Sequence, residues 1–470
     1  MKRMKSGAGR ICRRDFVVRA GVTLAAISAP WSGFPAIVKR RRPNEMLSHA
    51  SVGCGNRAES DLKDLASHPE LNVTAICDVD LRFLDKARKI YPDARIYRDA
   101  FEMMAAEGDR IDSVNVSTPD HTHAQYIIEA LKRNLNVYGQ KPLCHNLVEC
   151  RRVERLAAQK KAVTQMGTQA AAWECDRRTV AALRRGVIGE VQHVWLFSTR
   201  RPAPGPERFA WPVSEAPVPK TLEWKLWLGP AKWRPYANKQ YHPKAWRKWR
   251  TFGTSWLGDL GLHLMCPVWL GMGLGQATPE SAIAEIAADN WTTAQREQFW
   301  PSTSHVIWTF PGVKASGMKP FAVEWCDGFE TSAFKMEPKF LPPAFLQDIA
   351  AQTPLGSLPT QGRVIEGSKG WILSTHCIRT PYYVMKDGAT PPLAPMVEPV
   401  PSHHHEYVNA CLGNGKVNVG FDIAGRMTEW SFMGNLAQLQ PGERLDCAKL
   451  ADQAAADALR EDGGTQRTKA

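Results

Sequence analysis

SVGCGNRAESDL, Ser51 to Leu62, reads as the tip of an apolar strand, a glycine turn and the start of a helix. Gly53, Gly55 and Ala58 form a G-x-G-x-x-A pattern, with Asn56 and Arg57 inside the turn. Glycine at the first two positions permits a tight turn and a close backbone approach to a pyrophosphate, which the following helix N-terminus then faces. Alone the pattern is weak. Its context strengthens it: the strand text NVTAICDVD, Asn72 to Asp80, brings Asp78 to a strand end about 20 residues further on. A carboxylate there accepts from both ribose hydroxyls and repels a 2′-phosphate, which favours NAD over NADP. A helix cap is the competing reading of Asp78, and nearby Arg82 softens the preference.

The alternation continues outward from this unit. LRFLDKARKIYP is a helix stopped near Pro92, DSVNVSTPDH a strand opening into a loop, and AQYIIEALKRN a helix with apolar residues at i, i+3 and i+4. LNVYGQKPL is the next strand, ECRRVERLAAQKK the next helix and AVTQMGTQ a further strand. Strands alternating with helices of this length predict right-handed βαβ units and a parallel sheet. After about Gln169 the texture changes to longer strands, VQHVWLFSTR, SAIAEIAAD, SHVIWTF and FAVEW, separated by long Pro/Gly/Trp-rich loops. This predicts an α+β region with a largely antiparallel sheet. The predicted organisation is an export signal and linker over 1–43, a Rossmann domain over 44–168, a substrate and oligomerisation domain over 169–440, and a polar C-terminal tail over 441–470 that is expected to fray after about Ala454.

Charge is unevenly spread. The chain of 470 residues carries a formal net charge of +13, and the first 43 residues hold eleven Lys and Arg against the single acid Asp15. The remainder is only mildly basic, so no nucleic-acid partner is expected. Arg13-Arg14 followed by Phe16 and a moderately apolar run predicts a twin-arginine export signal and a periplasmic destination; a frayed basic tail is the alternative. Pro30 and Pro35 interrupt the run too early for a membrane span. The 11 cysteines show neither zinc spacing nor a disulfide framework. Many of the 17 tryptophans fall between Trp211 and Trp256, where they line a sugar site or build an aromatic core.

Three further patterns carry chemistry. In STPDHTH, residues Ser117, Thr118 and Pro119 lie at the carboxyl edge of the sheet, where ligands bind; His121 and His123 read as cofactor or loop packing. In GQKPL, Lys141 is a cation set on a proline corner at a strand end. In LGDLGLHL, Asp259 and His263 stand four apart, on one face if helical, as a base and the carboxylate that orients it. A capping Asp with a core His is the plain alternative. Gly258 and Gly261 are expected to admit a ligand closely. His403-His404-His405 reads as the start of a helix, and no metal site is expected.

Taken together, VGCGNRAESDL, AICDVD, VSTPDHTHAQYIIEALKRNLNVYGQKPL, RRGVIGEVQHV and LGDLGLHL resemble the Gfo/Idh/MocA oxidoreductases, over about Ser48 to Leu439. The long WLGPAKWRPY…HPKAWRKW insert resembles the exported bacterial branch. The resemblance implies a Rossmann domain, an open C-terminal sheet that packs into dimers or tetramers, and oxidation or reduction of sugars and polyols with NAD(P). Carried over by motif, Lys141 is the strand-end lysine, Asp259 and His263 the paired acid and histidine, and Thr118, Pro119 and His123 the contacts near nicotinamide. Lys141 is then expected to steady a substrate oxygen while His263 takes its proton. An NAD-dependent glycoside hydrolase acting through transient oxidation, or a non-catalytic sugar-binding protein, are the rival readings. Gln140 stands where the family usually has Glu; its amide carbonyl is expected to accept a hydrogen bond from the lysine. Cys266 and Pro267 also depart from the family's usual continuation.

Overall fold

The computed structural model describes residues 46–199, 211–287, 292–328, 337–375, 380–390 and 395–467, the last six by their backbone alone. The expected export signal and linker over 1–43 lie outside the described residues.

Strands β1 (Leu47–Val52), β2 (Leu71–Cys77), β3 (Arg95–Tyr97), β4 (Ser113–Val116), β5 (Asn136–Gly139) and β6 (Thr164–Met166) form one sheet in the order β3-β2-β1-β4-β5-β6, with every pairing parallel. The order reverses between β1 and β4, which opens a crevice at their carboxyl ends. Helices α1 (Arg57–Ala66), α2 (Leu81–Ile90), α3 (Ala100–Glu107), α4 (His123–Lys132) and α5 (Leu147–Lys160) make the crossovers. The inner stripe of α1 is Ala58, Asp61, Leu62 and Leu65, spaced as a helix face requires, with one carboxylate among apolar residues. Asp80, rather than Asp78, caps α2, accepting from the Arg82 N–H at 3.0 Å.

Beyond α6 (Glu174–Arg184) the chain builds an eight-stranded sheet. Its strands are β7 (Val191–Ser198), β8 (Ser281–Ile286), β9 (Ser304–Phe310), β10 (Phe321–Asp327), β11 (Gln361–Gly367), β12 (Gly370–Ser374), β13 (Tyr382–Met385) and β14 (Leu445–Asp446). The order is β13-β12-β11-β7-β10-β9-β8-β14, antiparallel except where β10 runs parallel to β7. Alternation sends Phe321, Val323 and Trp325 of β10 into the main core. Helices α8 (Leu262–Met272) and α11 (Phe421–Leu439) contribute Trp269 and Trp430 to that core, and β9 contributes Trp308. Short α7 (Trp224–Leu228) belongs to the aromatic insert. Helix α9 (Phe345–Ala351) seats Leu346 among Trp195, Phe197 and Leu373 on the other face.

One expectation is corrected here. The chain does not fray after Ala454 within its described residues: β14 pairs with β8, and α12 (Cys447–Arg467) lies along α5, with Arg155 donating to the Ala458 carbonyl at 2.9 Å. A stripe of small residues, Ala451, Ala454 and Ala458, is buried there, and its low apolar content hides it in a polar sequence. Late elements of the second region, α10 (His403–Cys411) and α11, return to the Rossmann sheet. Gln165 donates to the His403 carbonyl, and the Phe421 N–H donates to Thr164 Oγ1 at 3.1 Å. The triple histidine begins α10, capped by Ser402.

Candidate active site

A cleft of about 720 Å³, including its open mouth, runs along the carboxyl edge of the parallel sheet. Of the residues expected to contact the cofactor, Gly53, Gly55, Asn56, Arg57, Asp78, Ser117, Thr118 and Pro119 line it, and His123 and Lys141 are not among its lining residues. The glycine turn has specific needs. Gly53 sits at φ +97°, and a Cβ there would lie 2.5 Å from the Ser117 carbonyl oxygen; Gly55 is covered by the Phe83 ring. Asn56 also has positive φ, which places the Arg57–Ala66 helix end against the cleft. Asp78 accepts from the Cys54 N–H at 2.8 Å and the Asp80 N–H at 2.9 Å. Burial pushes its carboxyl up to about 6. Together, the glycine turn, the helix end and a strand-end carboxylate fit a dinucleotide.

The cleft has a roof that sequence reading left undecided. The aromatic insert packs Trp224, Trp227, Tyr236, Tyr241, Trp249, Phe252 and Phe299 into a core of its own. Trp227, His242, Pro243, Trp246 and Arg247 then face the cleft. Backbone bonds stitch the insert to the loop after β2: Leu81 N–H to the Thr221 carbonyl and Glu223 N–H to the Val79 carbonyl, each 2.9 Å. His242 Nε2 lies 2.8 Å from Asp80 Oδ2, and its ring meets Phe83 edge-on at 5.7 Å. Arg82 is held on the same Asp80 carboxylate, at 2.6 Å.

Lys141 and Asp259 meet across 118 residues. Lys141 Nζ donates to Asp259 Oδ1 at 2.5 Å and also to the Asp259 carbonyl. Arg247, from the roof, reaches the same Oδ1 at 3.4 Å. Burial raises the Asp259 carboxyl, but Lys141, Arg247 and the adjacent His263 outweigh it and hold the group well below the usual carboxylate range. Asp259 does not lie on an α-helical turn: Leu257–Gly261 is a π-helical turn leading directly into α8, which starts one residue before His263. The space beside Gly258 is taken by Thr254, and that beside Gly261 by Leu257, so these glycines serve internal packing rather than ligand approach.

His123 is buried behind the loop. Its Nδ1 lies 2.7 Å from the Pro142 carbonyl and its Nε2 lies 2.7 Å from the Thr118 carbonyl, clamping the Lys-Pro corner to the STP loop. Gln140 does not hold the Lys141 ammonium. Its Oε1 accepts from the Lys141 backbone N–H at 3.3 Å, and its Nε2 donates to Asp61 at 2.7 Å.

Besides Arg247, two buried carboxylates were missed by sequence reading. Asp61 is fully buried, and it accepts from Arg57, Ser117 Oγ and Gln140 Nε2, with His404 Nε2 3.1 Å away. Its burial favours the neutral acid, but His404 and Arg57 outweigh this and keep its pKa low. A polar residue in the apolar stripe of α1 was the available signal. Asp120 is the second. It is buried beneath the charged group, accepts from Thr254 Oγ1 at 2.8 Å, and burial pushes its carboxyl up to about 7 despite Arg247.

Residues 47–168 match the family model described as the NAD-binding Rossmann fold of the oxidoreductase family GFO_IDH_MocA, and residues 208–297 match that family's C-terminal alpha/beta domain. The two matched segments are thus similar to the two domains of Gfo/Idh/MocA oxidoreductases. Among curated relatives, a D-apiose dehydrogenase of Paraburkholderia graminis is 28% identical over 141 residues, which is 30% of this chain and 37% of the relative. A glycosyl hydrolase family 109 protein of Solibacter usitatus is 26% identical, covering 32% and 37%. An inositol 2-dehydrogenase of Rubrobacter xylanophilus is 27% identical, covering 24% and 32%. The alignments thus span about a third of each relative. Among solved structures, the aldose-aldose oxidoreductase of Caulobacter crescentus superposes with TM-score 0.55 at 15% identity, covering 86% of this chain and all (100%) of the other. The WlbA dehydrogenase of Bordetella pertussis, solved with NADH and UDP-GlcNAcA, superposes with TM-score 0.56 at 14% identity, covering 86% and 98%. At these identities the likeness is one of fold. The superpositions show a Rossmann domain joined to a second, mostly antiparallel sheet domain, and among the described residues no helix is long and apolar enough to cross a membrane.

Proposed function

We propose that this chain is an NAD-dependent oxidoreductase acting on a hydroxyl-bearing carbon of a sugar or polyol. The single observation that carries the reading is the Lys141–Asp259–Arg247 group set beside the roofed dinucleotide cleft. NAD, when bound, supplies the hydride acceptor. The chain's own part is electrostatic and acid–base. Lys141 offers a fixed positive charge to a developing alkoxide. His263, four residues after Asp259 and electrostatically coupled to it, takes the hydroxyl proton. The anionic Asp259 stabilises the imidazolium that results. Gly53, Gly55, Asn56, Arg57, Asp78, Ser117, Thr118 and Pro119 hold the nucleotide. NAD is favoured over NADP because Asp78 lines the cleft while Arg82, which follows it in the sequence, is committed to Asp80.

The names of the relatives support a sugar or polyol substrate, and they also support a second reading. The glycosyl hydrolase family 109 names, together with a roof that would retain the cofactor, favour glycoside cleavage through transient oxidation with no net consumption of NAD. The amino-terminal Arg13-Arg14-x-Phe16 pattern supports export, for which a retained cofactor is suited. The resemblance, which implies a second sheet that packs between subunits, supports a homodimer or homotetramer. The deciding experiment is to denature the purified protein, identify the nucleotide released, and assay sugars and aryl glycosides. Reduction of bound NAD by a sugar supports the dehydrogenase reading. NAD-dependent glycoside cleavage without net NADH supports the second. Neither nucleotide nor turnover would leave a non-catalytic sugar-binding protein.

A further inference from the structure

The second sheet carries a cluster that the oxidoreductase chemistry does not use. Its three central strands, β7, β10 and β9, present His193, Glu324, Cys326 and His305 on the face opposite the main core. Cys326 and His305 are direct cross-strand partners. His305 Nε2 lies 2.8 Å from one Glu324 oxygen, and His193 Nε2 lies 2.7 Å from the other. Cys326 is buried, whereas both histidines and Glu324 are partly exposed. His193 is stacked flat on Trp195, with centroids 4.0 Å apart and planes 8° apart, and Trp195 is itself packed edge-on against Phe345.

The arrangement has what a soft divalent cation needs. The ligand atoms of His305, Glu324 and Cys326 all lie within 4.8 Å of one another. Ligands in a tetrahedral zinc site are about 3–4 Å apart, given metal–ligand bonds of about 2.0–2.3 Å. Small rotations of side chains carried on neighbouring strands close that gap. One imidazole, one carboxylate and one thiolate select zinc, cobalt or nickel over magnesium or calcium, which prefer oxygen alone. His193 is placed as a ligating carboxylate's outer partner is: it contacts the oxygen that His305 does not, and its ring is fixed by Trp195.

We propose that His305, Glu324 and Cys326 bind a zinc-class divalent cation on the outer face of the second sheet, with His193 positioning the Glu324 carboxylate. Metal binding releases the proton of the Cys326 thiol to solvent, and no oxidation or reduction is involved. Three protein ligands leave a fourth coordination position to water or to a group from another molecule. The site lies on the far side of β10 from Trp325, whose ring packs near Gly261 in the Asp259 turn, so it is distinct from the dinucleotide cleft.

The test is a titration of the full chain with zinc against a chromophoric chelator, followed by substitution with cobalt. One zinc per chain at micromolar affinity or tighter is expected, and the cobalt form should show a thiolate-to-cobalt charge-transfer band. His305→Gln and Glu324→Gln should each weaken binding at least tenfold, and His193→Ala by about 10- to 100-fold, the usual cost of losing an outer partner. Cys326→Ser should abolish the charge-transfer band. Far-ultraviolet circular dichroism and NAD binding check that each variant is folded; His305 and His193 are partly exposed, so at least these two variants should pass. No zinc bound in the tens of micromolar, or binding unchanged in folded His305→Gln, would overturn the proposal. So would a cobalt form without the thiolate band.

Discussion

Gln140 Nε2 donates to Asp61 Oδ2 at 2.7 Å, joining the strand that ends in Lys141 to the helix that follows the glycine turn. Asp61 has no exposed surface, so a second carboxylate at 140 would meet it without water to screen the repulsion. An amide is the side chain of that shape that can donate. Gly167 leaves room for it, because a Cβ there would lie 2.5 Å from the Gln140 amide nitrogen. Gln140→Glu is therefore expected to destabilise the fold by about 1–3 kcal/mol, the cost of an unsatisfied buried polar group. Asp61→Asn in the same chain restores a donor–acceptor pair and should recover part of the loss. Urea unfolding of both single variants and the double variant measures this coupling, expected at about 0.5–3 kcal/mol; additive losses would mean that the two side chains are not matched.

His263→Ala should lower turnover by about 100- to 10,000-fold, the usual contribution of a general base, with little change in nucleotide binding. Lys141→Met should lower turnover by about 100- to 1,000-fold, as for loss of one oxyanion-stabilising group. It should also raise the Asp259 pKa, because its first opposing charge is gone. Steady-state kinetics on the substrate found by screening, with nucleotide affinity measured in parallel, separate the two effects. An unchanged rate for either variant removes that residue from the reaction.

Asp120 predicts a pH signature. Its folded pKa of about 7 lies above the ordinary 3.8. A raised carboxyl contributes stability that is fully present below 3.8 and is lost as pH rises through about 7. Thermal melts from pH 5 to about pH 8 should therefore show wild type losing stability relative to Asp120→Asn. The pH–rate profile should carry an inflection near 7 that the Asn variant lacks. An inflection that survives in Asp120→Asn belongs to another group.

The roof predicts slow release of nucleotide. His242→Ala removes the contact with Asp80 and the edge against Phe83. A hydrogen bond to a charged group contributes about 1.5–3 kcal/mol, so NAD should dissociate at least about tenfold faster. Stopped-flow displacement of bound NADH, followed by its fluorescence, measures the rate. Equal rates in the two proteins would mean that the insert covers the cleft without holding the cofactor.

Much of this site was legible before folding was considered. G-x-G-x-x-A, Asp78 and the STP loop are local patterns, and each lies where a strand end meets the cleft. Lys141, Asp259 and His263 were legible as residue types in short motifs. Arg247 and Asp120 were not singled out, because nothing in their immediate neighbours marks them. Asp61 was overlooked in what reads as an ordinary amphipathic helix, although it is the only charged residue on the buried stripe of α1. The last helix was misread as a tail because an alanine stripe buries little area per residue.

The sequence by itself determined the parallel sheet, the change to a second sheet and the chemical types at the cleft, since these follow from periodicity and turn chemistry within about ten or twenty residues. Tertiary structure alone decided that Lys141 pairs with Asp259, that Gln140 serves Asp61 and not the lysine, and that the tryptophan-rich insert packs as a core while roofing the nucleotide. Charge pairing at 2.5 Å across 118 residues depends on how whole elements pack, and burial then decides which carboxylates stay ionised.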